Sequence, residues 1–149
     1  MSWLERSVMP KRIKRVIIDT NLWISFLITN NLNILSELFL FERFQIIFSD
    51  ELFNEFLDVA RRPKFKKYFD EKSVQLLIQN ISEKLEFIEV ASAITICRDL
   101  KDNFILALSI DGNADYIVTG DKDLLSLNGF KGKKIITINE FIKIIDTEV

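Results

Sequence analysis

The chain has 149 residues, the size of one domain, and 48% of them are hydrophobic, 13 Phe among them, so it can build a core of its own. Histidine is absent and cysteine occurs once, at Cys97. That excludes a Ser-His-Asp triad, a Cys-His dyad, zinc held by histidine or four cysteines, and an intrachain disulfide. With 20 Lys and Arg against 22 Asp and Glu, the net charge is −2; bulk charge does not mark a nucleic-acid binder, and any chemistry must run on carboxylates, hydroxyls, amides and cations.

The first ten residues, MSWLERSVMP, contain no apolar run and no small-residue cleavage site, unlike a secretory signal. No stretch reaches the ~18–20 consecutive apolar residues that span a bilayer, so the sequence reads as a cytoplasmic protein without a membrane segment. Met9 is an alternative start, and residues 1–14 read as a basic N-terminal extension before a single domain over 15–149. Val16 to Ile18 is an apolar, β-branched run ended by Asp19-Thr20-Asn21, the pattern of a buried central strand. Leu22 to Ile28 and Ile34 to Phe41 suggest two short helices, and Gln45 to Phe48 a second strand. Leu52, Phe53, Phe56, Leu57 and Ala60 recur at helical spacing behind Ser49 or Asp50 as N-cap, and Pro63 lies beyond the helix end. A longer helix from Asp70 presents Val74, Leu77, Ile78, Ile81 and Leu85 on one face, followed by a short edge strand at Ile88 to Val90. Asp102 opens a helix to about Ile110 that is apolar almost all round and therefore buried. Tyr116 to Val118 and Lys134 to Ile138 read as strands, and Glu140 to Ile145 as a closing helix. This alternation predicts a three-layer α/β/α sandwich around a mainly parallel sheet of four to five strands.

In open α/β sheets, ligands sit at the carboxyl ends of the strands. Asp19 ends the first strand, Asp121 and Asp123 follow the third, and Asp102 opens the helix feeding that strand. Glu55 lies mid-helix between Leu52 and Phe56, where it can lean over the same edge. Taken singly, each has an ordinary structural explanation: turn former, N-cap or solvated helix residue. Together they form a cluster of carboxylates in a chain with no other catalytic equipment. Two such charges at roughly 4 Å cost on the order of 4 kcal/mol at an effective dielectric of about 20, so a fold keeps them together only by protonation or by a cation. No lysine is expected inside the apolar helix beside Asp102, which leaves a hard divalent ion as the simplest resolution. Oxygen-only ligands point to Mg2+ or Mn2+, ions suited to phosphodiester hydrolysis.

The segments VIIDTNLWIS (16–25), SDELFNEFL (49–57), DLKDNFILAL (99–108) and ADYIVTGDKDLL (114–125) resemble the PIN domain family, in particular its prokaryotic branch of toxin components of toxin–antitoxin pairs, which shares a stretch like Arg62 to Phe65. The similarity runs from about Arg15 to Asp146. It implies a Mg2+- or Mn2+-dependent ribonuclease, with one ion activating a water and a second, if present, steadying the leaving 3'-oxygen. By motif match, Asp19, Glu55, Asp102 and Asp121 take the four acidic catalytic and metal-ligand positions, and Asp123 an accessory ligand position. Asn21 and Thr119 match polar positions that orient ligands or waters. Asp99 competes for the third acidic role; Asp102 is preferred because it directly precedes the apolar helix.

Two basic runs, Lys11, Arg12, Lys14 and Arg15, then Arg61, Arg62, Lys64, Lys66 and Lys67, can contact RNA phosphates, although charge runs are often no more than solvated faces. Phe65, Tyr68 and Phe69 beside the second run can stack on bases or pack in the core. Cys97 reads as a small buried hydrophobe. The resemblance and a generous helical apolar surface imply a homodimer, and the toxin branch implies a small antitoxin partner. Two readings compete: a PIN-like module that binds RNA or protein without catalysis, and an aspartyl-phosphate phosphatase. The latter needs a second acid two residues after its nucleophile, where this chain has Asn21.

Overall fold

A computed structural model of the chain describes residues 13–29, 44–68, 70–72, 75, 79 and 82–148. In chain order its elements are β1 (Lys14–Ile18), α1 (Thr20–Thr29), β2 (Phe44–Phe48), α2 (Asp50–Ala60), β3 (Leu85–Phe87), α3 (Leu100–Asp111), β4 (Tyr116–Val118), α4 (Lys122–Leu125), β5 (Lys134–Ile136) and α5 (Ile138–Glu148), with short 3-10 turns at Pro63–Phe65 and Phe130–Gly132. The expected helix over Ile34 to Phe41 lies outside the described residues, as do Val74, Leu77, Ile78 and Ile81; helix is described at 71, 72, 75, 79 and 82.

Among the described residues the sheet has five strands in the order β3-β2-β1-β4-β5, and every neighbouring pair is parallel. Helices flank this sheet, as the alternation of elements requires. Central strands of such a sheet are covered on both faces and therefore consist of continuous apolar runs. Val16, Ile17 and Ile18 in β1, Ile46 and Ile47 in β2, and Ile117 and Val118 in β4 are all buried. Trp23 of α1 and Phe56 of α2 meet edge to face at 6.5 Å, and Phe141 of α5 packs against Phe44 and Tyr116. Gly112, at the end of α3, sits where a Cβ would come within 3.0 Å of the Leu108 carbonyl and 3.1 Å of the Ile47 side chain. A larger residue there would push α3 away from β2.

Chain order and sheet order reverse between β1 and β4. Successive crossovers move outward from β1 on one side and from β4 on the other. Loops leaving the carboxyl ends of these two strands therefore diverge and open a crevice. Asp19 and Thr119 are the first residues past β1 and β4. The ladder continues through both, with Asp19 N donating to Val118 O at 2.9 Å and Thr119 N to Ile136 O at 3.0 Å.

Several boundaries differ from the sequence reading. The edge strand is Leu85–Phe87 instead of Ile88 to Val90. Leu85 fits the 3.6-residue period of the preceding helix, but it is buried and pairs with Ile46; the Ile88 amide only prolongs the ladder to Phe48 O. Strand β5 stops at Ile136 because Thr137 caps α5: its hydroxyl accepts from Glu140 N, while the Glu140 carboxylate accepts from Thr137 N. Helix α3 begins at Leu100, with Asp99 as its N-cap accepting from Lys101 N, so Asp102 lies within the first turn and does not start the helix. Cys97 is half-buried against the core instead of fully enclosed.

Candidate metal centre

The carboxyl edge of the sheet gathers acids from four segments. Asp19 is 4% exposed. Its Oδ2 accepts from Thr119 Oγ1 at 2.8 Å and its Oδ1 from the Asn21 amide at 3.3 Å. Thr119 Oγ1 in turn accepts from Asp121 N at 3.1 Å, so one buried hydroxyl ties the loop after β1 to the loop after β4. Asp121 then caps α4, its Oδ1 accepting from Asp123 N at 2.8 Å.

Asp102 projects from the first turn of α3 and is 2% exposed. One ligand oxygen each from Asp102, Asp121 and Asp123 lies within 4.8 Å of the others. At that spacing, each pair of charges repels by about 3–4 kcal/mol at an effective dielectric of about 20. Burial first, then Asp121, Asp99 and Asp19, push the Asp102 carboxyl up to about 6, against a small lowering by Lys101. Asp102 Oδ2 is buried and has no hydrogen-bond partner among the described residues. An orphaned oxygen beside two further carboxylates suits a hard cation. The three acids therefore fit a divalent ion.

Glu55, in the middle of α2, is half-buried and stands apart from that trio. It meets Asp19 through a cation that the sequence reading excluded. Lys101 Nζ lies 3.4 Å from Asp19 Oδ1 and 3.4 Å from Glu55 Oε1. The expectation that no lysine stands beside Asp102 is thus overturned, for a geometric reason. Residues i and i+1 on a helix point about 100° apart, so Lys101 faces Asp19 and Glu55 while Asp102 faces Asp121 and Asp123. Burial draws the Lys101 ammonium down, but Asp19 and Glu55 outweigh it and hold the group above the ordinary lysine value.

Asn103 is a second residue missed in the sequence. Its side chain accepts from Cys97 N at 2.7 Å and donates to Cys97 O at 3.1 Å, pinning the segment that enters α3. The Cys97 thiol lies close enough to the acids that burial, then Asp102, Asp123 and Asp121, push it up. Arg98 reaches Asp123 Oδ2 at 3.4 Å from a position open to solvent. Asn21 itself is exposed and touches Asp19 through its backbone amide.

The basic run after α2 starts six residues past Glu55, about 9 Å along the helix axis. Arg61 pairs with Glu71 at 2.9 Å and Arg62 with Asp58 at 3.7 Å. Lys64 and Lys67 each lie 5.0 Å from a ring centroid, of Phe65 and Tyr68 respectively. Lys66 is exposed. Lys14 and Arg15 belong to β1, whereas Lys11, Arg12 and Phe69 fall outside the described residues. An open cleft lined by Arg15, Asn113, Lys131 and Lys133 lies at the amino ends of the strands, opposite the acids. No helix among the described residues is long and apolar enough to cross a membrane.

A family model described as "PIN domain" matches residues 15–123, which includes all five acids. The chain is 31% identical over 120 residues to the uncharacterised protein MJ1680 of Methanocaldococcus jannaschii, a match covering 76% of this chain and 74% of that protein. The crystal structure of PAE2754 from Pyrobaculum aerophilum is similar in fold. Its TM-score is 0.60 at 12% identity, with 91% of this chain and 90% of that one covered.

Proposed function

The chain belongs to the PIN domain family, a family of nucleases in the main, and we propose that it is a Mg2+- or Mn2+-dependent endoribonuclease acting on single-stranded or structured RNA. The observation that carries this reading is the buried, unpartnered Oδ2 of Asp102 beside Asp121 and Asp123 at the sheet's carboxyl edge. Asp102, Asp121 and Asp123 are the residues that would hold the ion, with Asp19 and Glu55 completing the acidic rim. When bound, a divalent ion lowers the pKa of water and offsets the charge of a phosphodiester.

The chain's own groups do the positioning. Thr119 fixes Asp19 and the Asp121 loop in one register. Asn103 holds the entry to α3 and so sets where Asp102 points. With no imidazole in the chain, proton acceptance falls to carboxylates on this rim. The Arg61 to Lys67 segment offers exposed cations for RNA phosphates beyond the cut site. A toxin role with a small antitoxin, a homodimer and a cytoplasmic setting are part of the same proposal, supported by the sequence resemblance.

The test is cleavage of a 5'-labelled single-stranded RNA with Mn2+ or Mg2+ by the wild type, Asp19→Asn and Asp121→Asn. Water attack with the 3'-oxygen leaving produces 5'-phosphate and 3'-hydroxyl ends, and either substitution should abolish them while the fold persists by circular dichroism. Cleavage that survives chelation, or that leaves 2',3'-cyclic phosphate ends, would overturn the proposal.

A further inference from the structure

Lys101 is the charged group of the rim that a metal-dependent nuclease does not by itself require. Its ammonium is bracketed at 3.4 Å by carboxylates from two elements, Asp19 after β1 and Glu55 in α2. Its side chain is 24% exposed and that of Asp19 5%, and at such shielded positions a charge contact is several times stronger than in bulk water. On the neighbouring face of α3, Asp102 looks towards Asp121 and Asp123, and its Oδ2 has no partner among the described residues. The rim therefore has two halves. One carries its counter-charge between its two carboxylates; in the other three carboxylates converge, and Arg98 touches Asp123 from the solvent side at 3.4 Å without entering between them.

Resting on the metal-dependent reading above, we propose that Lys101 is a tethered cation filling the Asp19–Glu55 half of the rim, so that the chain takes one divalent ion, on Asp102, Asp121 and Asp123, where five acids would otherwise take two. A second ion between Asp19 and Glu55 would sit against the ammonium, and could enter only by displacing a group held there by its own backbone. A lysine ammonium has three N–H donors. The two carboxylates take two of them, and the third is free for a non-bridging oxygen of an entering phosphodiester. Lys101 is thus a positioning residue of fixed charge, replacing what a second ion would contribute to the rim.

Counting Mn2+ ions bound to the full-length chain by electron paramagnetic resonance of free Mn2+ tests this without any reference to turnover. Wild type and Lys101→Arg should each bind one ion and Lys101→Met two, a doubling produced by removing one positive charge. In EDTA, Lys101→Met should melt below wild type, because Asp19 and Glu55 then face each other unscreened, and Mn2+ should raise its melting temperature by more than it raises that of wild type. Two ions on the wild type, or one on Lys101→Met, would overturn the inference; the wild-type count does so even where the Met variant does not fold, and Lys101→Gln gives a second neutral variant. If the single wild-type ion is lost in Asp121→Asn while Lys101→Met also binds one, the metal-centre reading stands and the role given to Lys101 falls. If the wild type binds none, both fall.

Discussion

Asp102→Asn should stabilise the metal-free protein, although Asp102 is buried and polar. In the folded state its carboxyl is pushed from an ordinary value of 3.8 up to about 6. A shift of about two units corresponds to roughly 3 kcal/mol of penalty on the charged form. Relaxation of the neighbouring acids reduces this, leaving about 1–3 kcal/mol, or about 3–10 °C in Tm for a chain of this size. The folded value lies above the unfolded one, so the penalty is full above pH 6 and disappears as pH falls through 6 and below 3.8. At pH 4.5 the advantage of the variant should shrink to about a third of its value at pH 7.5. Scanning calorimetry of both chains in EDTA at the two pH values measures it, and the difference between chains cancels the titrating groups that do not interact with Asp102. With Mn2+ at about 1,000 times its Kd the order should reverse, since the wild type gains about 4.1 kcal/mol that the variant cannot. A variant that melts lower than wild type in EDTA at pH 7.5, as the simple loss of a buried polar contact would produce, refutes the electrostatic reasoning.

Thr119→Val keeps the shape but removes the hydroxyl shared by Asp19 and Asp121. It should cost about 1–3 kcal/mol in urea unfolding and reduce Mn2+-dependent cleavage, whereas unchanged stability would mean that the hydroxyl does not organise the rim. Mn2+ affinity, measured calorimetrically, should be level above pH 6 and weaken about tenfold per unit below it, because Asp102 must lose its proton to bind; a flat profile from pH 5 to 7.5 would contradict Asp102 as a ligand. Asn103→Ala severs both bonds to Cys97 and should speed hydrogen exchange of the Cys97 amide and lower stability by about 1–3 kcal/mol. Unaltered exchange would show that the segment is held by other contacts.

The strands were the most legible part of the chain. VIID and YIVTGD carry their own burial signal and their own end, so the carboxyl edge, with Asp19 and Asp121 on it, can be located from the sequence. Asp102 and Asp99 lie three residues apart, and the structure separates them by burial: Asp99 is exposed and caps α3, while Asp102 is enclosed. Lys101 was illegible because sequence adjacency to Asp102 says nothing of the helix rotation that turns it to Asp19 and Glu55. Leu85 was misplaced because a single apolar residue satisfies a helical and a strand period equally. Asn103, one polar residue in an apolar helix, shows its purpose only once the segment at Cys97 is seen folded against it.

Anomalous diffraction at the manganese edge, from crystals of the full chain grown with Mn2+, bears most directly on whether these dispersed acids form one cation centre. The account predicts a peak within ligand distance, about 2.0–2.2 Å, of oxygens from Asp102, Asp121 and Asp123, with Lys101 still between Asp19 and Glu55. No peak at the carboxyl edge, or one only elsewhere on the molecule, would contradict it.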